Sequence, residues 1–237
     1  GNAQTLDSQL VAAVKAFTER LSGVEEWEIY WAAGVGTMAS QAVDLVPETV
    51  ALERLLRLLE SEPALKARSG AFAFASSAGA LYAGSHDTPI TENSAAAPTT
   101  AYARAKLEQE ALVQAFASTQ KQTWALLARI STVYGAGQST GKRQGLLTHV
   151  ARSMIRNQPI QIYVPFDTIR DYITAGDTAA SMVSSLRALA TGPSGAAIKI
   201  IASEQPTTIA EIVALFGRVS RRKPLVVTSA STLSALY

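Results

Sequence analysis

Tyr102 and Lys106 stand four residues apart in AYARAKLEQEALVQAFAST, a stretch with helical periodicity, so both side chains leave one face of a helix. A lysine ammonium beside a phenol favours the phenolate, and the pairing is expected to lower the Tyr102 pKa from about 10. A tyrosine tuned that way exchanges a proton with a substrate hydroxyl or carbonyl near neutral pH. Lys106 can also donate hydrogen bonds to a ribose. Ser77 ends the apolar run GAFAFASS, and its hydroxyl can orient the same substrate oxygen. The pair alone is a weak signal, because Tyr and Lys at this spacing also occur on ordinary solvated helix faces. Its context is more specific: a serine at a strand end, a polar loop, then Tyr-x-x-x-Lys on the next helix.

Two other stretches suggest phosphate binding, and both fail on context. IYWAAGVGTMASQA, residues 29–42, contains Gly34-x-Gly36-x-x-Ala39, close to the dinucleotide fingerprint. That fingerprint needs a strand before it, a helix opening at the glycines, and an acidic residue about 20 positions on at the end of the next strand. The strand is expected. The next helix start is read at Pro47, some ten residues late, and Glu53 falls inside the helical pattern ALERLLRLLES. The glycines are therefore read as a strand end kept small for close approach, or as a turn. AGQSTGKRQ resembles a P-loop, but Ala136 replaces its first glycine and Arg143 its Ser/Thr.

The elements that must position these residues alternate along the chain. Helical patterns cover 5–22, 47–61, 101–119, 145–158, 175–190 and 207–220. Short apolar runs at 27–33, 70–77, 123–131, 159–164 and 196–202 read as buried strands. This alternation predicts an α/β fold with a mostly parallel sheet.

Bulk properties exclude several classes. The 237 residues are 48% hydrophobic and 17% charged, with net charge +2 and no cysteine. A disulfide scaffold, thiol catalysis and thiolate metal sites are thereby excluded, and a cytoplasmic location is expected. No apolar run approaches the roughly 18 residues of a membrane span. The scattered Lys and Arg point away from nucleic acid, and Arg221-Arg222-Lys223 is read as a helix cap. Two distant histidines, His86 in a polar loop and His149 packing on a helix, make a Ser-His-Asp hydrolase or a metal site improbable. Trp27, Trp31 and Trp124 are read as core. Leu52, Leu55, Leu56 and Leu59 recur at helical spacing and suit packing on the sheet.

Five segments, in order, resemble the extended short-chain dehydrogenases/reductases of the NAD-dependent epimerase/dehydratase type. They are WEIYWAAG, FAFASSAGALYAGS with PITE, AYARAKLEQE, ARISTVYGAGQ and DTIRDYITAGDTAA. The resemblance spans about residues 5–225. It implies a Rossmann-like, doubly wound, mostly parallel sheet with a small C-terminal substrate lobe. The expected division is an incomplete NAD(P)-binding domain over 1–140, to which 170–203 returns in part, and a substrate lobe over 141–237.

The resemblance implies Tyr102 as catalytic acid/base, Lys106 as its ribose-binding partner and Ser77 as the substrate-orienting hydroxyl. Ala32, Ala33, Gly34, Ser76, Val133 and Tyr134 would line NAD or NADP, together with Tyr102 and Lys106. Arg170, Thr132 and Tyr82 would contact a nucleotide-sugar, although Thr132 stands where the family often has Asn. The resemblance also implies a homodimer, for which Leu52, Leu55, Leu56 and Leu59 would supply a face as readily as they would pack on the sheet, and Trp31 as a candidate edge of the cofactor site, with no membrane, nucleic-acid or metal partner. The family's opening strand and Gly-x-x-Gly-x-x-Gly have no match, so the chain reads as a copy lacking its first few strands and some C-terminal residues, and it is expected to bind NAD(P) weakly or not at all. The alternatives to a nucleotide-sugar enzyme are a non-catalytic binding or regulatory relative and a reductase of a non-sugar carbonyl.

Overall fold

The computed structural model describes residues 3–137 and 145–228. The chain begins with α1 (Ala3–Glu19), β1 (Glu26–Trp31), α2 (Ala42–Ser61), α3 (Pro63–Lys66) and β2 (Ser69–Ser77). It continues through α4 (Ala78–Leu81), α5 (Ala101–Thr119), β3 (Thr123–Ile130), β4 (Thr132–Tyr134), α6 (Leu146–Ile155) and β5 (Ile160–Ile162). Then come β6 (Ile169–Thr174), α7 (Ala175–Leu189), β7 (Gly195–Ile201), β8 (Pro206–Thr208), α8 (Ile209–Ser220) and β9 (Val226–Thr228). Two compact units result. One is drawn from Gly1–Ile130 and Ala180–Ile201, the other from Ser131–Ala179 and Ala202–Tyr237.

In the first unit β1, β2, β3 and β7 form a four-stranded sheet in that order, every pair parallel. Strands covered on both faces need nearly continuous apolar sequence, and β2 and β3 supply it. Phe72, Phe74, Ala125 and Leu127 are fully buried. α2 meets this sheet through Leu52, Leu55, Leu56 and Leu59, spaced 3, 1 and 3 residues apart on one helical stripe. The four leucines join Phe72, Val113 and Phe116 in the core, which settles their use as packing on the sheet. Phe72 and Phe116 meet edge to face at 5.9 Å. Trp27 is part of this core, whereas Trp124 is half-buried and donates from Nε1 to the Gly192 carbonyl at 2.9 Å.

The start of α2 departs from expectation. The helix begins at Ala42 and carries Pro47 inside it. The Asp44 carboxylate accepts from the Gln41 N–H at 3.3 Å, which caps the chain upstream of the proline. Pro47 removes one i→i−4 donor in the second turn, a defect the helix absorbs near its end.

In the second unit β4 pairs parallel with β6, β6 antiparallel with β8, and β5 parallel with β9. Sequence reading assigned no separate strand to β4, β6, β8 or β9. Three of the four are only three residues long, too short to show a period. α6 and α8 bury Val150, Met154, Ile209 and Ile212 against Ile160 and Ile162. Thr208 and Glu211 cap α8 reciprocally: Thr208 Oγ1 accepts from the Glu211 N–H at 3.2 Å, and Glu211 Oε2 accepts from the Thr208 N–H at 2.7 Å. His149 is exposed on α6 and does not pack. The P-loop-like stretch falls largely at 138–144, outside the described residues.

Asp171 on β6 binds this unit together. Its carboxylate accepts from Ser131 Oγ at 2.6 Å, from the Ser203 N–H and Oγ at 2.9 and 2.8 Å, and from the Gln205 N–H at 3.1 Å. Burial pushes its pKa up, but these four donors together hold it below the ordinary 3.8. The folded carboxyl therefore releases its proton more readily than the unfolded one. Its contribution to stability is fully present above the unfolded pKa and is lost as pH falls through the lower folded value. Asp171→Asn is expected to destabilise the protein by about 1–3 kcal/mol at neutral pH. It should also flatten the loss of melting temperature below about pH 4. Melts of both proteins across that range check this, and parallel acid limbs would refute it.

Candidate active site

α5 has an unusual inner face. Thr100 caps the helix, its Oγ1 accepting from the Ala103 N–H at 3.1 Å. The buried positions are Ala103, Lys106, Gln109, Glu110, Val113, Phe116 and Ala117. Their spacing is that of a core-facing stripe, yet three of them are polar. Charged side chains are almost never fully buried unless paired, so this face needs partners from the sheet.

Glu110 finds one in Arg129 on β3. Arg129 donates from Nε to Glu110 Oε1 at 3.0 Å and from Nη2 to Oε2 at 2.7 Å, a bidentate pair in which both side chains are at most 5% exposed. Ser76 Oγ donates to Glu110 Oε1 at 2.6 Å, and Arg129 Nη1 donates to the Tyr82 hydroxyl at 2.7 Å. Ser76 and Tyr82 were expected to touch cofactor and substrate. Both are buried, with their hydroxyls bound inside this network. The network fixes the carboxyl end of β2 and the segment after α4. Sequence reading missed Glu110 and Arg129. The available signal was a glutamate four residues after Lys106 on an otherwise apolar stripe.

Lys106 has no such carboxylate. Its Nζ donates to the Ala75 carbonyl at 3.2 Å and lies 4.8 Å from the centre of the Phe74 ring. The Tyr102 ring centre is 5.8 Å from the same Nζ. Ser77, the last residue of β2, lies close enough to the Tyr102 side chain to act on its titration. Ser77, Tyr102 and Lys106 are thus brought together at the carboxyl end of β2.

The expected lowering of the Tyr102 pKa is not found. Burial, reinforced by the negative charge of Glu48, pushes it up to about 12, and Ser77 opposes this only in part. Burial also lowers the Lys106 pKa, with Glu48 and Glu110 acting the other way. Desolvation disfavours whichever form is charged, and here it acts on both members of the pair.

Ala32, Ala33 and Gly34 follow β1 directly, beside the carboxyl end of β2, and Gly34 takes φ +154°. A Cβ on Gly36 would stand 2.5 Å from Leu45 Cδ2 and 3.3 Å from both Glu48 Oε1 and Tyr102 Cδ2. The glycine spacing thus reflects a close approach of the loop to α2 and α5. In the second unit Thr132, Val133 and Tyr134 constitute β4, opposite Tyr172, Ile173 and Thr174 of β6. Arg170 lies two residues before Tyr172 on β6 and is half-buried.

The buried pair gives a direct test. Removing one partner leaves an uncompensated charge, so Arg129→Ala or Glu110→Ala should each cost about 3–5 kcal/mol. Arg129→Met combined with Glu110→Leu should recover most of that loss. Urea unfolding of the four proteins measures it, and a double variant no more stable than the singles would contradict the pairing.

The sequence model of the NAD dependent epimerase/dehydratase family matches residues 23–200. The dTDP-4-dehydro-6-deoxyglucose reductase of Escherichia coli is 32% identical over 113 residues, 48% of this chain and 35% of that protein. The dTDP-L-rhamnose 4-epimerase of Burkholderia thailandensis is 29% identical over 121 residues, 51% of this chain and 32% of that protein. The matched stretch thus covers about a third of these curated relatives. Among solved structures, MoeE5 in complex with UDP-glucose and NAD superposes with a TM-score of 0.75 at 19% identity, covering 92% of this chain and 69% of that one. At that identity the likeness concerns the fold.

Proposed function

The chain belongs to the NAD-dependent epimerase/dehydratase family, and on that premise we propose that it serves an NAD(P)-dependent oxidoreductase or epimerase acting on a nucleotide-sugar. The observation that carries this reading is the convergence of Ser77, Tyr102 and Lys106 at the carboxyl ends of parallel strands, where open α/β sheets bind ligands.

The residues fit the ribose end of such a cofactor. Lys106 Nζ has three N–H donors and gives one to the Ala75 carbonyl, which leaves capacity for a diol. When bound, NAD(P) supplies the hydride acceptor and donor. The protein's own part is proton handling and orientation. Tyr102 holds a proton on Oη at neutral pH and can deliver it to a substrate oxygen; the reverse transfer requires positive charge close to that oxygen. Ser77 holds the same substrate oxygen through its hydroxyl. Arg170 is assigned to the diphosphate and Thr132 to the sugar, on their sequence match. Ser76 and Tyr82 are assigned to positioning, through Glu110 and Arg129.

Two relatives that act on dTDP-sugars by name, one a reductase and one an epimerase, support the substrate class rather than one reaction. The homodimer remains part of this proposal, on surfaces other than the four core leucines. A cytoplasmic setting belongs to it as well, supported by the absence of cysteine. No helix among the described residues is long and apolar enough to cross a membrane.

The test is turnover of UDP-, GDP- and dTDP-sugars with NAD or NADP by the wild type and by Tyr102→Phe. The substitution should lower turnover by about 10²–10⁴-fold while leaving the melting temperature in place. Undiminished turnover by a folded Tyr102→Phe protein would overturn the mechanism. Turnover confined to carbonyl compounds without a nucleotide would overturn the substrate class.

A further inference from the structure

Glu48 lies on α2, outside every motif in the sequence, yet its carboxylate is held at the centre of the site. Oε1 accepts from two successive backbone amides of the loop after β1, Val35 N–H at 2.5 Å and Gly36 N–H at 2.6 Å. Such consecutive N–H groups form a concavity suited to an anion. The other oxygen faces Gly34, where an added Cβ would stand 3.0 Å from Oε2. The same carboxylate and the Tyr102 ring both touch the space beside Gly36, each 3.3 Å from an added Cβ. Loop, α2 carboxylate and α5 phenol therefore meet at one residue that has no side chain.

We propose that Glu48 is a positioning residue for the Tyr102–Lys106 pair: seated on the Val35 and Gly36 amides, its carboxylate fastens the loop after β1 and sets a negative charge beside the Tyr102 ring. The direction is fixed by elementary electrostatics. A carboxylate near a phenol opposes the phenolate, and near an ammonium it favours the charged form. Glu48 exerts both effects, opposing the phenolate of Tyr102 and favouring the ammonium of Lys106.

The surrounding charges leave Glu48 in that role. On α5 itself, Lys106 and Glu110 are the charged neighbours, and Glu110 is bound bidentately by Arg129 of β3. β2 brings the uncharged Ser76 and Ser77. Tyr82, following α4, is bound to Arg129. β7 brings Lys199, which is paired with Glu92 at 3.0 Å. From α2, the Glu48 carboxylate acts on both Tyr102 and Lys106, while Glu53 is paired with Arg57.

The functional meaning of this rests on Tyr102 as the acid/base group; the electrostatic claim does not. It is tested on the chain without cofactor or substrate by ultraviolet titration of tyrosinate. The chain has seven tyrosines, so each protein is read as a difference from its own Tyr102→Phe counterpart. Glu48→Gln keeps an acceptor for the two amides and removes the charge. Glu48→Met, uncharged and of similar length, is read in the same way should the Gln variant not fold. Circular dichroism at each pH limits the comparison to folded protein.

The apparent pKa of Tyr102 is expected to fall by roughly one unit in either variant, which gives several-fold more phenolate at about pH 10.5 than in the wild type. An unchanged Tyr102 phenolate fraction in a folded variant overturns the proposal. A purely structural role for Glu48 would move the melting temperature and not this titration. Failure of the titration leaves the turnover test of Tyr102→Phe standing, and failure of the turnover test leaves the titration standing.

Discussion

The inner face of α5 governs the first unit, because it buries charge against the sheet and charge must be answered there. Lys106 and Glu110 sit one turn apart on that face and are 6% and 2% exposed. Their fates differ. Glu110 is fully answered by Arg129, with Ser76 filling a further lone pair. A buried pair of this kind contributes little net stability compared with apolar residues of the same size, but it is costly to break. What it supplies here is geometry. It fixes the end of β2, through Ser76, and the segment after α4, through Tyr82. Lys106 donates to a backbone carbonyl and faces an aromatic ring, with no bidentate partner of this kind, so its ammonium retains donors. One turn of one helix thus carries a locked charge and a ready one.

The ready charge does not act alone on Tyr102. The ammonium lies 5.8 Å from the ring centre, and burial weakens the charged state of both groups. Glu48 brings a negative charge to the same place. The unliganded arrangement is therefore a neutral phenol beside a constrained cation. Tyrosine and lysine at helical spacing do not by themselves make an activated tyrosine. The sign of the shift depends on what the facing helix contributes.

That dependence marks the boundary between what the sequence disclosed and what it hid. The parallel strands were legible because β2 and β3 are continuous apolar runs, and the long helices because their apolar residues recur at 3.6-residue spacing. Ser77, Tyr102 and Lys106 were legible because they fall on neighbouring elements within 30 residues. Glu48, Glu110 and Arg129 were not, because each acquires its meaning only from residues distant in the chain. Arg129 and Glu110 are 19 positions apart, and Tyr82 and Arg129 are 47 apart. The start of α2 was misplaced for a local reason: a proline at helical position one and a proline in the second turn leave the same mark on the sequence, and the cap at Gln41 and Asp44 decides between them. The three-residue strands of the second unit carry no period to read.

The placement of the site follows from the direction of the chain. β1 and β2 are parallel neighbours, so Ala32 to Gly34 and Ser77 leave the sheet at the same edge. A helix crossing between parallel strands runs back against them, and it begins at the edge where the preceding strand ended. α5 makes that crossing between β2 and β3, so its first turn delivers Tyr102 and its second delivers Lys106 to the carboxyl edge. α2 makes the earlier crossing between β1 and β2, and by the same rule its first turns deliver Glu48 to that edge. A carboxylate there meets the amides of the loop that has just left β1. The meeting of Glu48, Gly36 and Tyr102 is thus a consequence of two successive crossovers starting at one edge. The glycine at position 36 is what lets the three approach.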